Sequence, residues 1–288
     1  MAHLLLCMGT MARVQPANRD SDAPPRRARL TLLGAGLVLA MSAAGTGAAH
    51  GSPAGGPSPA FGPGEMLVYD VHYGPVHTGQ ARIVVGAGET VSNTHVWPIV
   101  VQARTNEVFS RFYSLRDRFV TLWNPADAST LGFDLFADEN GRRRHTRARL
   151  DPKSGRAVVE RERPGHKPST HRYHTGDAAH DVASAIFWLR TKKLAVGDTE
   201  AIRVFTGEKA WELGARVEGR EAITTKAGHF HTLRVRLQTH FRGKLAARHD
   251  IVLWMTDDAA HVPVRIAAEL ALGSVEADLQ HYLPGITP

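Results

Sequence analysis

The sequence predicts a mainly β fold: a single antiparallel domain, a rolled sheet or barrel-like, with one main α-helix. Two observations carry this prediction. Roughly a dozen short segments alternate apolar and polar residues, the period of half-buried strands, whereas residues 181–193 have helical spacing. Short connections such as DENG and DPKSG place Asp or Asn beside Gly, as antiparallel hairpins do.

The N-terminal 49 residues predict an extension that ends in a secretory signal peptide. Three arginines within residues 26–29 precede an apolar stretch at 30–44, and small residues suited to cleavage follow up to Ala49. A short membrane anchor that stays attached is the alternative. Residues 50–63, rich in Pro, Gly and Ser, are expected to form a flexible linker before the β domain.

Charge and cysteine content exclude several function classes. Residues 1–49 hold five arginines and two aspartates, so their removal lowers the formal net charge from +7 to +4. Such a mild charge, together with export, argues against a nucleic-acid partner. Cys7 precedes the signal, so the mature chain would carry no disulfide and no thiol nucleophile. No transmembrane span is expected after signal cleavage.

The β domain is predicted over residues 64–283, with strand segments on both sides of the helix. In the first segment, Leu67, Tyr69 and Val71 share one face and Asp70 lies on the other. The segments before the helix are 66–73, 80–88, 96–104, 118–123, 130–137, 142–150, 156–163 and 169–174. Those after it are 200–206, 210–218, 231–241, 248–256, 264–272 and 274–283.

The helix is predicted to begin at Asp181, whose carboxylate can accept hydrogen bonds from amides of the first turn. Ser184, three residues later, suits the same cap better than a role as nucleophile. At 100° per residue, Ser184 falls on the polar side of the helix. Arg190 falls between two groups of apolar residues on the helix surface, where the helix should pack on the sheet.

Arg190 is therefore expected to form a buried or half-buried ion pair, because a guanidinium cannot deprotonate and is costly to bury alone. Glu65 is the first choice of partner since it opens the first strand, and Glu221 and Asp257 come next. Snorkelling of the side chain to water is the alternative.

An arginine-rich segment, RRRHTRARL, offers a candidate site for anions. Arg143, Arg147 and Arg149 would share one face of a strand with His145. A strand with so many charges is unsuited to a two-faced core, so we predict a protected edge strand. The alternative is an anionic ligand such as lipid phosphate or an acidic glycan.

Motifs of catalysis and metal binding are weak in this chain. There is no G-x-S-x-G, P-loop or G-x-G-x-x-G motif. His229 and His231 have the spacing of strand ligands but lack an acidic companion, so no metal and no cofactor are predicted. Asp257 and Asp258 are expected to form a turn, with acid–base work or calcium binding as the alternatives.

Several short pieces, in order over residues 61–282, carry a resemblance to a known family. They are Phe61-x-x-Gly64-Glu65, Asp181-x-x-Ser184 with Phe187-Trp188-Leu189-Arg190, Leu194-x-x-Gly197-Asp198, Gly228-x-Phe230, Trp254-x-x-Asp257-Asp258 and Gly273-Ser274-Val275. In these pieces the chain resembles DUF3108, a family of exported bacterial proteins of unknown function. The resemblance implies a periplasmic or envelope location and a β-rich fold, and it implies no reaction.

The functional hypothesis is an exported protein that binds or carries an apolar or glycan ligand without catalysis. An envelope polysaccharide hydrolase and a structural partner of an envelope assembly are the alternatives. The candidates for ligand-binding or structural polar roles are Glu65, Asp181, Ser184, Arg190, Glu221, Asp257 and Asp258.

Overall fold

The computed structural model describes residues 60–176, 179–241, 244–245, 251–270 and 273–286. The predicted signal peptide and most of the predicted linker lie outside these residues. Among the helices that are described, none is long and apolar enough to cross a membrane.

Strands make up most of the described chain, as the alternating pattern predicts. The helix α1 spans Val182–Arg190, and a 3₁₀ turn spans Phe109–Arg111. The strands are β1 Met66–Tyr73, β2 Val76–Val85, β3 Glu89–Val91, β4 Thr94–Thr105, β5 Leu115–Asn124, β6 Ser129–Glu139, β7 Arg142–Asp151, β8 Arg156–Glu162, β9 Ser169–His174, β10 Thr199–Phe205, β11 Ala210–Thr225, β12 Gly228–Phe241, β13 Lys244–Leu245, β14 Ile251–Thr256, β15 Pro263–Leu270 and β16 Gly273–Leu283.

The strands form one large sheet of two antiparallel meanders that meet where β1 pairs with β16. Its order is β10-β11-β12-β14-β15-β16-β1-β2-β4-β5-β6-β7-β8-β9, with β3 on β4 and β13 on β12. The two ends of the order, β9 and β10, are linked by side chains and not by a described ladder. The Tyr173 and Phe205 rings lie 5.4 Å apart, and Arg161 Nη2 donates to the Gly207 carbonyl at 2.6 Å. The antiparallel rolled sheet is confirmed, and it is not closed into a barrel.

The core lies inside the roll, where alternate residues of the strands meet one face of α1. The helix contacts β4, β5 and β10, and Phe187 and Leu189 are fully buried. Phe61 is also buried, with its ring centroid 4.7 Å from that of Phe187 and 5.6 Å from that of Trp123. Because Phe61 supplies an aromatic side chain to the core, the folded unit includes residues 60–63. These residues were expected to belong to the flexible linker.

Two local expectations about strands are wrong. The arginine-rich strand β7 is not an edge strand, since it pairs with β6 on one side and β8 on the other. Its charges are tolerated because they point to solvent, where acidic residues of both neighbours face them. The second strand, expected over residues 80–88, starts and ends earlier, because β2 spans Val76–Val85.

Candidate functional site

The N-terminus of α1 is held by the cap that the sequence predicts. Asp181 Oδ1 accepts hydrogen bonds from the amides of Ala183 and Ser184 at 2.8 and 2.9 Å, and Ser184 Oγ accepts from the Asp181 amide at 2.9 Å. Thr121 of β5 donates to the other carboxylate oxygen of Asp181. Ser184 is fully buried and not on a polar face, because its hydroxyl closes this capping box. The helix-cap prediction is confirmed.

The C-terminal end of α1 carries the expected ion pair between Arg190 and Glu65. Arg190 Nη1 and Nη2 each donate to one Glu65 carboxylate oxygen at 2.7 Å, and neither side chain is exposed. Nε and the second N–H of Nη2 donate to the carbonyls of Ala260 and Ala60, respectively, both at 3.0 Å. The guanidinium also lies 5.0 Å from the Phe61 ring centroid. Four of the five N–H groups of this buried cation therefore have an acceptor, and each of its three nitrogens donates at least one hydrogen bond.

Two tyrosines complete the surroundings of this ion pair. Tyr282 donates its hydroxyl to Glu65 Oε1 at 3.1 Å, and Tyr69 donates to the Pro263 carbonyl at 2.7 Å. Burial raises the pKa of Tyr69 well above its ordinary value. Burial and the neighbouring Glu65 carboxylate raise the pKa of Tyr282 to about 12. Both phenols are neutral donors, which suits a structural role.

The other candidate carboxylates lie in separate contacts near the surface. Glu221 accepts from the indole Nε1 of Trp254 at 2.8 Å, and Asp257 accepts from Arg220 at 2.6 Å. Asp258 Oδ1 accepts from the Ala260 amide at 3.0 Å, which confirms the predicted turn. Through Ala260, that turn supplies a carbonyl to Arg190.

The seven candidates of the sequence therefore do not form one site. Asp181 and Ser184 cap the helix, and Glu65 and Arg190 join it to β1. Glu221 and Asp257 accept hydrogen bonds from side chains near the surface, and Asp258 forms the turn before β15. Because Glu65 is buried and paired, it has no access to a substrate. No cluster of three or more metal-ligating side chains occurs in the described residues.

A groove of about 1540 Å³ lies on the solvent-facing side of the sheet, across β2, β4, β5, β6 and β7. Strand register brings its outward side chains into two rows. Row one is Arg82, Gln102, Arg118, Phe136 and His145. Row two is Gln80, Arg104, Arg116, Asp138 and Arg143. We call this feature the arginine groove.

Cations outnumber acids in the arginine groove. Its lining contains seven arginines against four acidic residues. Four arginines from β2, β4 and β5 stand out because they are exposed and no described carboxylate forms an ion pair with them: Arg82, Arg104, Arg116 and Arg118. Since neighbouring strands lie about 4.8 Å apart and alternate residues about 6.6 Å apart, the Cα atoms of these four residues lie within roughly 12 Å of one another.

The three arginines chosen from the sequence fit an anion site less well. Arg143 donates to Asp138 at 3.0 Å and Arg147 donates to Asp134 at 3.0 Å, so both charges are already neutralised. Arg149 is exposed and lies opposite Gly132 and Val158, outside the groove lining. The spacing of Arg116 and Arg118 could have indicated from the sequence that both lie on one face of a strand. The strand register that places Arg82 and Arg104 beside them could not be predicted from the sequence.

An aromatic pair ends row one. Phe136 is 42% exposed, and its ring stacks on His145 with centroids 4.0 Å apart and planes 12° apart. An exposed ring beside guanidiniums gives the groove an apolar surface next to its charges. The groove can therefore contact the body of a ligand as well as its anionic groups.

Comparisons with known proteins give a family and a fold. A family model described as a protein of unknown function, DUF3108, matches residues 68–280, which confirms the resemblance predicted from the sequence. A β-barrel-like protein of the domain of unknown function DUF1849 from Brucella abortus aligns with a TM-score of 0.53 at 12% identity, over 78% of this chain and 98% of that chain. This likeness shows the fold alone.

Two further solved structures align less closely. A candidate lipoprotein from Parabacteroides distasonis has 11% identity and a TM-score of 0.32, over 80% of this chain and 100% of that chain. A candidate exported protein with a YmcC-like fold from Bacteroides fragilis has 10% identity and a TM-score of 0.28, over 77% of this chain and 98% of that chain. No curated protein matches the sequence significantly.

Proposed function

This chain belongs to the DUF3108 family of proteins of unknown function, and we propose that it is an exported, non-catalytic binding protein of the bacterial envelope. Its ligand carries phosphate or carboxylate groups and occupies the arginine groove. The single observation that carries this proposal is the set of four exposed arginines, Arg82, Arg104, Arg116 and Arg118, without described acidic partners. The basic, apolar and small-residue pattern of residues 1–49 supports export.

Two features favour this groove over the interior of the roll. Large buried side chains, including Trp123 and Phe205, lie in the interior together with α1, whereas the groove is open to solvent. Guanidiniums present planar sets of donors that match carboxylate and phosphate oxygens. An acidic glycan and an anionic lipid headgroup share this chemistry.

Binding to defined anions tests the proposal and separates the two sources. Polygalacturonate represents a free acidic glycan, and vesicles of phosphatidylglycerol represent lipid headgroups. The double variant Arg116→Gln/Arg118→Gln removes two groove cations. The control Arg149→Gln/Arg172→Gln removes the same charge from exposed positions that do not line the groove.

We expect the groove variant to bind at least one probe about ten-fold or more weakly, with a smaller dependence on salt. The control variant should bind like the wild type. An equal loss of binding in the two variants would mean that the probes are held by nonspecific electrostatic attraction, and it would overturn the proposal. So would a wild type that binds neither probe.

A further inference from the structure

Two apolar side chains project into solvent beside the arginine groove. Val108 is 70% and Phe112 83% exposed, in the connection between β4 and β5 that we call the β4–β5 loop, residues 106–114. Both ends of this loop adjoin the groove, because its first residues, Asn106 and Glu107, line it and Arg116 follows it. Two exposed apolar side chains four residues apart, beside a charged groove, form a candidate contact surface.

Hydrogen bonds at both ends attach the β4–β5 loop to the sheet. Asn106 Oδ1 accepts from the Phe109 amide at 2.8 Å, and Asn106 Nδ2 donates to the His77 carbonyl at 2.8 Å. At the far end, the Ser114 amide donates to Asn140 Oδ1 at 2.8 Å. These bonds hold the loop on the strands β2 and β6–β7. Its exposed side chains are therefore presented on an ordered loop.

Cations lie next to these apolar side chains in the chain and elsewhere at the same end of the sheet. Arg111 lies between Val108 and Phe112 in the chain, and the loop between β8 and β9 adds Arg163 and Lys167, both exposed. Because antiparallel strands alternate in direction, the β4–β5, β6–β7 and β8–β9 connections lie at the same end of the sheet. That end combines exposed apolar residues with positive charge.

We propose that this end of the sheet docks on the surface of an anionic lipid bilayer. Phe112 and Val108 enter the boundary between headgroups and acyl chains, while Arg104, Arg116 and their neighbours bind lipid phosphates. This inference rests on the proposed function and names the source of its anions. A free acidic glycan would use the guanidiniums but would leave the apolar residues of the loop in water.

Physical chemistry supports a lipid surface as the occupant. Interfacial binding combines buried apolar area with attraction between basic residues and anionic lipids. Each basic residue close to such a surface contributes roughly a five-fold factor in affinity. The positive charge of the groove is complementary to the anionic headgroups. The exposed apolar residues of the loop are complementary to the acyl chains beneath them.

Sedimentation with vesicles tests this docking. The probes are vesicles of phosphatidylglycerol mixed with phosphatidylethanolamine, and vesicles of phosphatidylcholine alone. Phe112→Ser removes the exposed ring. Leu283→Ser is the matched control, because Leu283 is 54% exposed and lies at the opposite end of the sheet, where it pairs with Met66.

We expect the wild type to bind anionic vesicles and not phosphatidylcholine vesicles. Phe112→Ser should weaken that binding at least five-fold, Arg116→Gln roughly five-fold, and Leu283→Ser not at all. In a Phe112→Trp variant, anionic vesicles should shift tryptophan emission to shorter wavelength. Phe112→Ser binding like the wild type would overturn the docking. If polygalacturonate still bound through the groove, the proposed function would stand, whereas a wild type that bound neither probe would overturn both.

Discussion

Arg104 and Arg116 lie directly opposite each other on β4 and β5, although both are positively charged. Directly opposed like charges destabilise a sheet by a fraction of a kcal/mol to about 1 kcal/mol. Gln80 and Asp138 flank the two arginines in row two, but Asp138 is engaged by Arg143. The free protein therefore carries a repulsion that a bound anion would relieve.

Removing this repulsion should stabilise the free protein. We expect Arg116→Gln to raise the free energy of unfolding by about 0.2–1 kcal/mol, measured by urea denaturation at low salt. The increase should shrink as salt screens the charges. Arg149→Gln, whose cross-strand neighbours are Gly132 and Val158, should show no such gain. A destabilised Arg116→Gln protein would argue against unrelieved repulsion.

The buried ion pair of Arg190 and Glu65 should contribute far more than a surface pair. Arg190→Leu leaves the Glu65 carboxylate buried without its cation, so we expect a loss of about 3–5 kcal/mol in unfolding free energy. Arg220 pairs with Asp257 at the surface and is the natural comparison. Arg220→Leu should cost about 0–1 kcal/mol. Similar melting of wild type and Arg190→Leu would contradict the architectural role of the pair.

His180 should make stability depend on pH. Burial, with added repulsion from Lys192, lowers the pKa of this imidazole from 6.5 to about 4. Between these values the unfolded chain binds a proton that the folded chain does not. The free energy of unfolding should therefore fall as pH decreases from 6.5 to 4, by about 1.4 kcal/mol per unit and about 3 kcal/mol in total.

The contribution of His180 is best measured as a difference between proteins. Burial raises the pKa of Asp117 to about 6, so Asp117 changes stability in the opposite direction as pH falls. Comparing the wild type with His180→Asn by urea denaturation from pH 7 to 4.5 cancels this effect. The wild type should lose stability faster than the variant below pH 6.5. Parallel curves would show that His180 titrates normally.

Export should remove the N-terminal segment. The pattern of residues 1–49 predicts cleavage near Ala49, so N-terminal sequencing of protein from the periplasm should find a mature chain that starts in the Pro- and Gly-rich segment. A cytoplasmic product that retains residues 30–44 would contradict export.

Elements close together in sequence were predictable because their signals are local. Asp181 and Ser184 are one turn apart, so their mutual capping follows from spacing alone. Arg190 required a partner because of its place on the helix, and the start of the first strand was a reasonable place to look for one. The Asn140-Gly141 turn also follows from two residues, with φ of 51° and 75°.

Features that depend on strand register were beyond the sequence. Arg82, Arg104 and Arg116 are separated along the chain, and only the pairing of β2, β4 and β5 places them together. The edge prediction for β7 was wrong for the same reason: the acids that face its arginines, such as Asp134 and Asp138, come from the neighbouring strand. The sequence did not single out Phe112, because its exposure depends on the conformation of the β4–β5 loop.

The central claim is that the arginine groove holds an anionic ligand, and native mass spectrometry of protein purified from its own periplasm tests it most directly. The wild type should carry an added mass that fragments to a phosphate- or carboxylate-bearing molecule. The variant with Arg82, Arg104, Arg116 and Arg118 all changed to Gln should lack that mass while keeping its fold. A wild type without bound ligand, or a ligand retained equally by the variant, would contradict the account.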